Sequence, residues 1–398
     1  MTTVGESATP TITRGQTTAL VLATLGFAVN FWAWALLSPL GPVYKELLAL
    51  TPFEVSVLVA VPVIVGSLGR IPLGALTDRY GGRLVFGVTS LLGVVPVIFL
   101  ALVENYPALL AGGFALGLTG ATFAIGVPFV NGWYPPERRG LALGVFGMGN
   151  IGTAISGFAT PWLADGYGRP VPFLVVAVAL ILIGLAFLTI GRDAPGRQAA
   201  TEPFLARFLA AARLRATQEL ALMYALTFGG FVAFGVYLPL YLREVYGLST
   251  ADAAARTAGF VVLATVARPV GGWLSDRRGA VPVLSGALAA VVLCAILVSF
   301  APAMPLATVG FLTMAVALGL GNGAVFALVG RDVPAHMVGS ATGVVGAAGG
   351  LGGFLPPLVM GLIYQATSSY AVGLMLLATV AAAAVVYSWF VMRTPERA

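Results

Sequence analysis

At 398 residues, 59% hydrophobic, 9% charged and with a net charge of +6, the chain carries too few polar groups to cover a water-soluble surface; soluble domains hold roughly 25% charged residues. Lipid is therefore its main solvent, and the basic balance is a matter of sidedness rather than of affinity for nucleic acid. The one cysteine, Cys294, lies in an apolar run, which excludes a disulfide framework and a thiol metal site.

Residues 1–16 are polar, and the apolar stretch that follows is too long for a cleavable leader, so it reads as a spanning helix that is retained. A helix needs about 20 apolar residues to cross the hydrocarbon. Windows of that kind lie near 17–40, 53–76, 84–103, 106–130, 140–164 and 171–190, and again near 219–242, 255–275, 280–300, 303–330, 338–364 and 369–391. The expected fold is thus an all-α integral membrane protein of twelve transmembrane helices. A polar tail (1–16) precedes a first half (17–190); a basic linker (191–218) leads to a second half (219–392) and a short tail (393–398).

Sidedness follows from Lys and Arg. With both termini cytoplasmic, fifteen arginines fall on the inner side, from Arg14 to Arg397, and only Lys45, Arg169, Arg243 and Arg256 on the outer. Two cations remain, and both are inside predicted spans. Arg70 sits in "GSLGRIPLGALTDRYGG" (66–82) and Arg268 in "ATVARPVGGWLSDRRG" (264–279). The pairs Arg70/Arg268, Leu76/Leu274, Asp78/Asp276, Arg79/Arg277 and Gly81/Gly279 are each 198 positions apart. "GLTGATF" (117–123) parallels "GLGNGAVF" (319–326), and "GLALGVFG" (140–147) parallels "GSATGVVG" (339–346). Six spans per half make this a parallel repeat about an axis along the membrane normal, an arrangement suited to alternating access.

"GALTDRYGGR" (74–83) and "PPERRGLALG" (135–144) resemble two signatures of the major facilitator superfamily. "FGMGNIGT" (146–153), "GLGNGAVFALVG" (319–330), "NFWAWALLSPLGP" (30–42) and "YALTFGGFVAFG" (224–235) resemble segments of its nitrate/nitrite porter family. The resemblance implies a carrier of nitrate and nitrite in the cell membrane. By position it assigns Arg70 and Arg268 to the paired substrate arginines, and Tyr224, Phe228, Phe31 and Phe123 to pocket aromatics. It also places Asn150 and Asn322 in the two nitrate signatures.

The residues support an anion site independently. Arg70 and Arg268 each precede an aspartate by eight residues, roughly 12 Å along a helix, too deep for full escape to water by snorkelling. The fifteen acids all fall in loops, tails or helix ends, so no carboxylate is available at that depth. An uncompensated charge there is costly and marks a pathway; an anionic substrate would supply the missing charge. The planar guanidinium fork matches small planar oxyanions, and aromatic faces can stack on either. For any single Phe, packing alone is an adequate account; Asn150, polar within a glycine run, is the better candidate.

Asp78 with Arg79, and Asp276 with Arg277, stand at matched helix ends and are expected to act as gates across the inner face. No Asp, Glu or His lies within the spans except at their ends, where Glu54 and Glu219 stand, and His336 is in a loop, which favours anion exchange over proton symport. Other readings are a nitrate/proton symporter, a carrier of cyanate or a short carboxylate, and a membrane sensor. No catalytic set appears among the spans, so no enzyme and no cofactor are expected. The expected partners are nitrate, nitrite and the bilayer, with no nucleic acid and no obligatory protein partner.

Overall fold

The computed structural model describes residues 13–197, 199, 202–367 and 369–392, which are helical throughout apart from turns and short connections. The expected tails lie outside these residues except for Thr13 to Gln16, where Thr13 and Gln16 form a reciprocal cap on the first helix. In chain order the helices are α1 (Arg14–Trp34), α2 (Leu37–Leu47), α3 (Pro52–Tyr80), α4 (Gly82–Leu102), α5 (Tyr106–Leu116), α6 (Phe123–Trp133), α7 (Arg139–Gly147) and α8 (Ile151–Tyr167). They continue with α9 (Pro170–Thr189), α10 (Phe204–Arg213), α11 (Arg215–Tyr246), α12 (Thr250–Arg278), α13 (Ala280–Ser299), α14 (Met304–Asp332), α15 (Val338–Thr367) and α16 (Ala371–Phe390).

These helices stack into the expected rods. α1 and α2 run on as one 34-residue stretch, and α5–α6 and α7–α8 join through 3-10 turns at Gly117–Ala121 and Met148–Asn150. Among the described residues ten stretches are long and apolar enough to cross a bilayer, and α11 makes an eleventh with a 47° bend near Gly235. α15 is a further rod of 30 residues. Lipid-facing positions are large and apolar, among them Leu25, Leu92, Val95, Leu102, Leu182 and Val309, as expected when hydrocarbon is the solvent.

The break at Gly117–Ala121 has a local cause. The hydroxyls of Thr119 and Thr122 donate to the carbonyls of Leu116 (2.8 Å) and Thr119 (2.7 Å), drawing the turn tight. The parallel segment of the second half lacks those threonines and stays α-helical within α14. α3 and α12 both end on glycine with positive φ, 90° at Gly81 and 88° at Gly279, a conformation that L side chains adopt only under strain.

α3 packs along α15, and α12 along α7, so each half sends one helix against the other. The crossings are backbone to backbone. A Cβ added at Gly74 would stand 2.1 Å from the Gly339 carbonyl oxygen, and one at Gly272 would stand 1.8 Å from that of Gly140. The region between α9 and α11 is not all loop: α10 occupies its middle, and α11 begins at Arg215. The face on which this linker lies is the linker side.

Candidate functional site

The repeat places Arg70 on α3 and Arg268 on α12, each on the face turned to the opposite half. Both are almost wholly buried, at 1% and 3% exposure. Arg70 donates through Nη1 to the Gly346 carbonyl on α15, and Arg268 through Nη1 to the Gly147 carbonyl at the end of α7, at 2.9 Å. Gly147 and Gly346 are the last glycines of the two parallel segments, so each arginine binds the matching backbone oxygen of the other half. Neither forms an ion pair among the described residues. The Nε of Arg70 and the Nε and Nη2 of Arg268 make no hydrogen bond of ordinary geometry, with the Tyr224 hydroxyl standing beside Arg268. Two buried cations with spare donors and no counter-charge make an acceptor for an anion.

Aromatic rings line the cations. Phe228 on α11 lies under both guanidiniums, with its centroid 5.7 Å from the Arg70 Cζ and 5.3 Å from the Arg268 Cζ. A second ring lies beside each cation, Phe123 at Arg70 and Phe231, next to Phe228, at Arg268, each at 5.7 Å. The ring quadrupole offers part of the compensation that a carboxylate would otherwise give. Tyr224 stacks on Phe228 at 4.9 Å and nearly parallel to Phe123 at 6.2 Å, while Phe326 meets Phe123 and Tyr224 edge-on at 4.8 Å each. Phe123 and Phe326 are counterparts in the repeat, and they touch where the halves meet.

Of the residues singled out in the sequence, Arg70, Arg268, Phe123, Tyr224 and Phe228 thus form one cluster. Phe31 is buried beside Phe27 (4.2 Å) and Trp34 (4.9 Å), and Phe27 in turn lies 5.3 Å from Phe123 and stacks on Phe146 at 5.0 Å. Asn150 is buried at the end of the 3-10 turn, three residues past Gly147. Asn322 is buried on α14 with neither amide atom partnered. Phe146, Phe231, Phe326 and the two glycine carbonyls were not singled out. The parallel "GLALGVFG" and "GSATGVVG" segments were the available sign of the carbonyls.

Asp78 and Asp276, the aspartates expected as gates, lie toward the linker ends of α3 and α12. Asp78 accepts from the backbone N–H groups of Gly339 (2.9 Å) and Ser340 (2.8 Å), and Asp276 from those of Gly140 (2.9 Å) and Leu141 (2.8 Å). Each carboxylate caps the first turn of a helix from the other half, where the orphan donors and the helix dipole favour negative charge. Arg79 and Arg277 are exposed and lie over their own neighbours, Tyr80 at 5.3 Å and Trp273 at 4.4 Å. Among the described residues no group of three or more His, Cys, Asp or Glu could hold a metal.

The Major Facilitator Superfamily profile matches residues 23–357. The probable nitrate/nitrite transporter NarK2 of Mycobacterium tuberculosis is 47% identical over 387 residues, covering 96% of this chain and 98% of that protein. The nitrite extrusion protein of Bacillus subtilis is 41% identical over 367 residues, covering 92% of each. Among solved structures, the human organic anion transporter MFSD10 superposes with a TM-score of 0.77 at 18% identity, over 94% of this chain and 100% of that one. The transporter FucP in its outward conformation gives 0.75 at 18% identity, over 94% and 99%.

Proposed function

This chain belongs to the Major Facilitator Superfamily, in its nitrate/nitrite porter family, and we propose that it exchanges nitrate for nitrite across the cell membrane by alternating access. It is a multi-pass membrane transporter and not an enzyme. The observation that carries the exchange reading is the pair of buried guanidiniums, one from each half, with spare donors and no carboxylate partner.

A monovalent planar oxyanion between Arg70 and Arg268 receives charge-assisted hydrogen bonds from the free N–H groups of both forks. Phe228 and Phe123 form the walls and keep water from those bonds. Tyr224, Phe31, Asn150 and Asn322 complete the pocket in this reading. Each arginine also holds a carbonyl of the opposite half, so separating α3 from α15 or α12 from α7 changes the donors offered to the anion. Site and gates are thereby coupled. An empty pocket sets two like charges against one ring, and an anion between them removes that repulsion. The loaded carrier turns over more readily than the empty one, which is the condition for obligatory exchange.

Both termini are placed in the cytoplasm in this scheme, supported by the excess of arginine on the linker side. The halves are 17–190 and 219–392, and the 191–218 connection, with α10 and the first turn of α11, lies on the cytoplasmic face. Asp78 and Asp276, flanked by Arg79 and Arg277, serve as the cytoplasmic gates.

Counterflow in proteoliposomes tests the proposal. Vesicles loaded with nitrite are expected to take up labelled nitrate, while empty vesicles take up little with or without an imposed pH gradient. Gradient-driven uptake into empty vesicles would identify a proton symporter instead, and the exchange mechanism would fall.

A further inference from the structure

The two linker-side gates follow the repeat in their carboxylates but not in their cations. At the α7–α12 crossing Asp276 has no ion pair among the described residues; the nearby cation Arg139, the first residue of α7, donates instead to the Tyr134 carbonyl (2.9 Å) and, in the other half, to the Gly330 carbonyl on α14 (3.1 Å). With Gly140 matched to Gly339, its counterpart at the α3–α15 crossing is Val338, which has no side-chain donor. A cation is present there all the same, and it comes from outside both repeats. Arg207 on α10 donates to Asp78 Oδ2 (2.5 Å) and the Ala75 carbonyl (3.2 Å) in the first half. In the second half it reaches Ser340 Oγ (3.3 Å) and the His336 carbonyl (3.4 Å).

This pair differs from its neighbours. Of the four ion pairs among the described residues, Arg207–Asp78 is the one with both side chains buried, at 4% exposure each. Ser340 Oγ adds a bond to Asp78 (2.7 Å), where the matched position in the other gate is Leu141. The linker ahead of α10 is tied to the first half, since Arg197 donates to the Asp78 carbonyl (3.0 Å) and Asp193 accepts from the Arg83 N–H (3.1 Å). α10 itself packs on α3 of the first half and on α15 and α11 of the second, so its arginine sits where the two halves meet.

We infer that Arg207 is a positioning residue of the transport cycle, which holds the α3–α15 gate shut and makes the two gates unequal. The inference rests on the alternating-access reading above. Parting α3 from α15 returns Asp78 and Arg207 to water, so the loss of Arg207 falls on the shut state, where it leaves a buried carboxylate short of its cation. The population then moves toward the state open on the linker side, and the apparent affinity for substrate offered from the opposite side falls by the same fraction. If Arg207 instead only staples the linker to α3, the shut state loses nothing.

Thiol labelling separates the two cases without using substrate. Cys294→Ala removes the one native thiol. Thr342→Cys places a reporter on the α15 face shared with Gly339 and Gly346, three residues after one and four before the other, at a position fully buried in the shut state. A water-soluble maleimide is added from the linker side. Arg207→Ala is expected to label about ten-fold faster or more than the parent, since breaking a buried pair is strongly unfavourable. Arg207→Lys, which keeps the charge and loses the fork, is expected to fall between, and Arg213→Ala, exposed on the same helix, to match the parent. Labelling of Arg207→Ala at the parent rate would overturn the inference; should that variant fail to fold, the parent rate in Arg207→Lys overturns it. Faster labelling in Arg207→Ala beside failed counterflow in the parent would sink the exchange reading alone, and normal counterflow in the parent beside unchanged labelling would sink the gate inference alone.

Discussion

At the scale of single residues, the site is defined by what the arginines lack. A guanidinium buried without a carboxylate is tolerated here through a carbonyl of the opposite half and two aromatic faces, which leaves donors over. Arg70→Ala is expected to lower nitrate/nitrite exchange by about 100-fold or more, because charged hydrogen bonds to the anion are lost together with the charge itself. Arg268→Lys keeps the charge but not the fork, and its exchange is expected to fall by about ten-fold or more. Counterflow on matched amounts of protein measures both; a lysine variant at the parent rate would remove the case for fork geometry. Both arginines were legible in the sequence, since charge at that depth with no acid nearby is a rare pattern. Their carbonyl partners were not, because a backbone oxygen carries no sequence signal until the crossing helices are known. Arg207 was legible only as one of fifteen linker-side charges, nothing in "FLARFLAAAR" marking which arginine turns inward.

Among the elements, the glycines of the crossings decide how close the halves come. Gly74 on α3 and Gly272 on α12 face the carbonyls of Gly339 and Gly140 with no room for a methyl group. Gly272→Ala therefore prevents the shut state as described, and overpacking of this kind costs about 1–3 kcal/mol. Exchange in that variant is expected to drop about ten-fold, on the same principle that a displaced backbone must separate the helices. Gly286→Ala on α13, where nothing lies within 4 Å of the added carbon, is the control and is expected to exchange normally. Equal rates in the two variants would show that close approach at Gly272 is not needed for turnover. The rods themselves were legible almost end to end, since length and apolar content alone specify a span. The 3-10 turns inside two of them and the helix within the linker were not. The Gly117–Ala121 turn depends on hydroxyls bonding back along the chain, and α10 is too short and too mixed to stand out from a basic loop.

For the whole molecule, duplication supplies the architecture and its failures supply individuality. The 198-residue offset was visible in the sequence and reappears as matched helix ends, matched helix-capping carboxylates and matched arginine–carbonyl bonds between halves. It breaks at the 3-10 turns and at the gate cations. One consequence of the uncompensated arginines concerns membrane potential. A carrier that reorients its site moves whatever charge the site holds, and each elementary charge crossing the field is worth about 2.3 kcal/mol per 100 mV. Returning empty, the site carries both cations unneutralised; returning with an anion, it carries the same load in each direction when one monovalent ion is traded for another. Net charge moved per cycle is then zero. In vesicles clamped with potassium and valinomycin, the final distribution of nitrate against nitrite is expected to stay the same from zero to strongly negative voltage, and a distribution that tracks the voltage would mean that charge crosses unaccompanied.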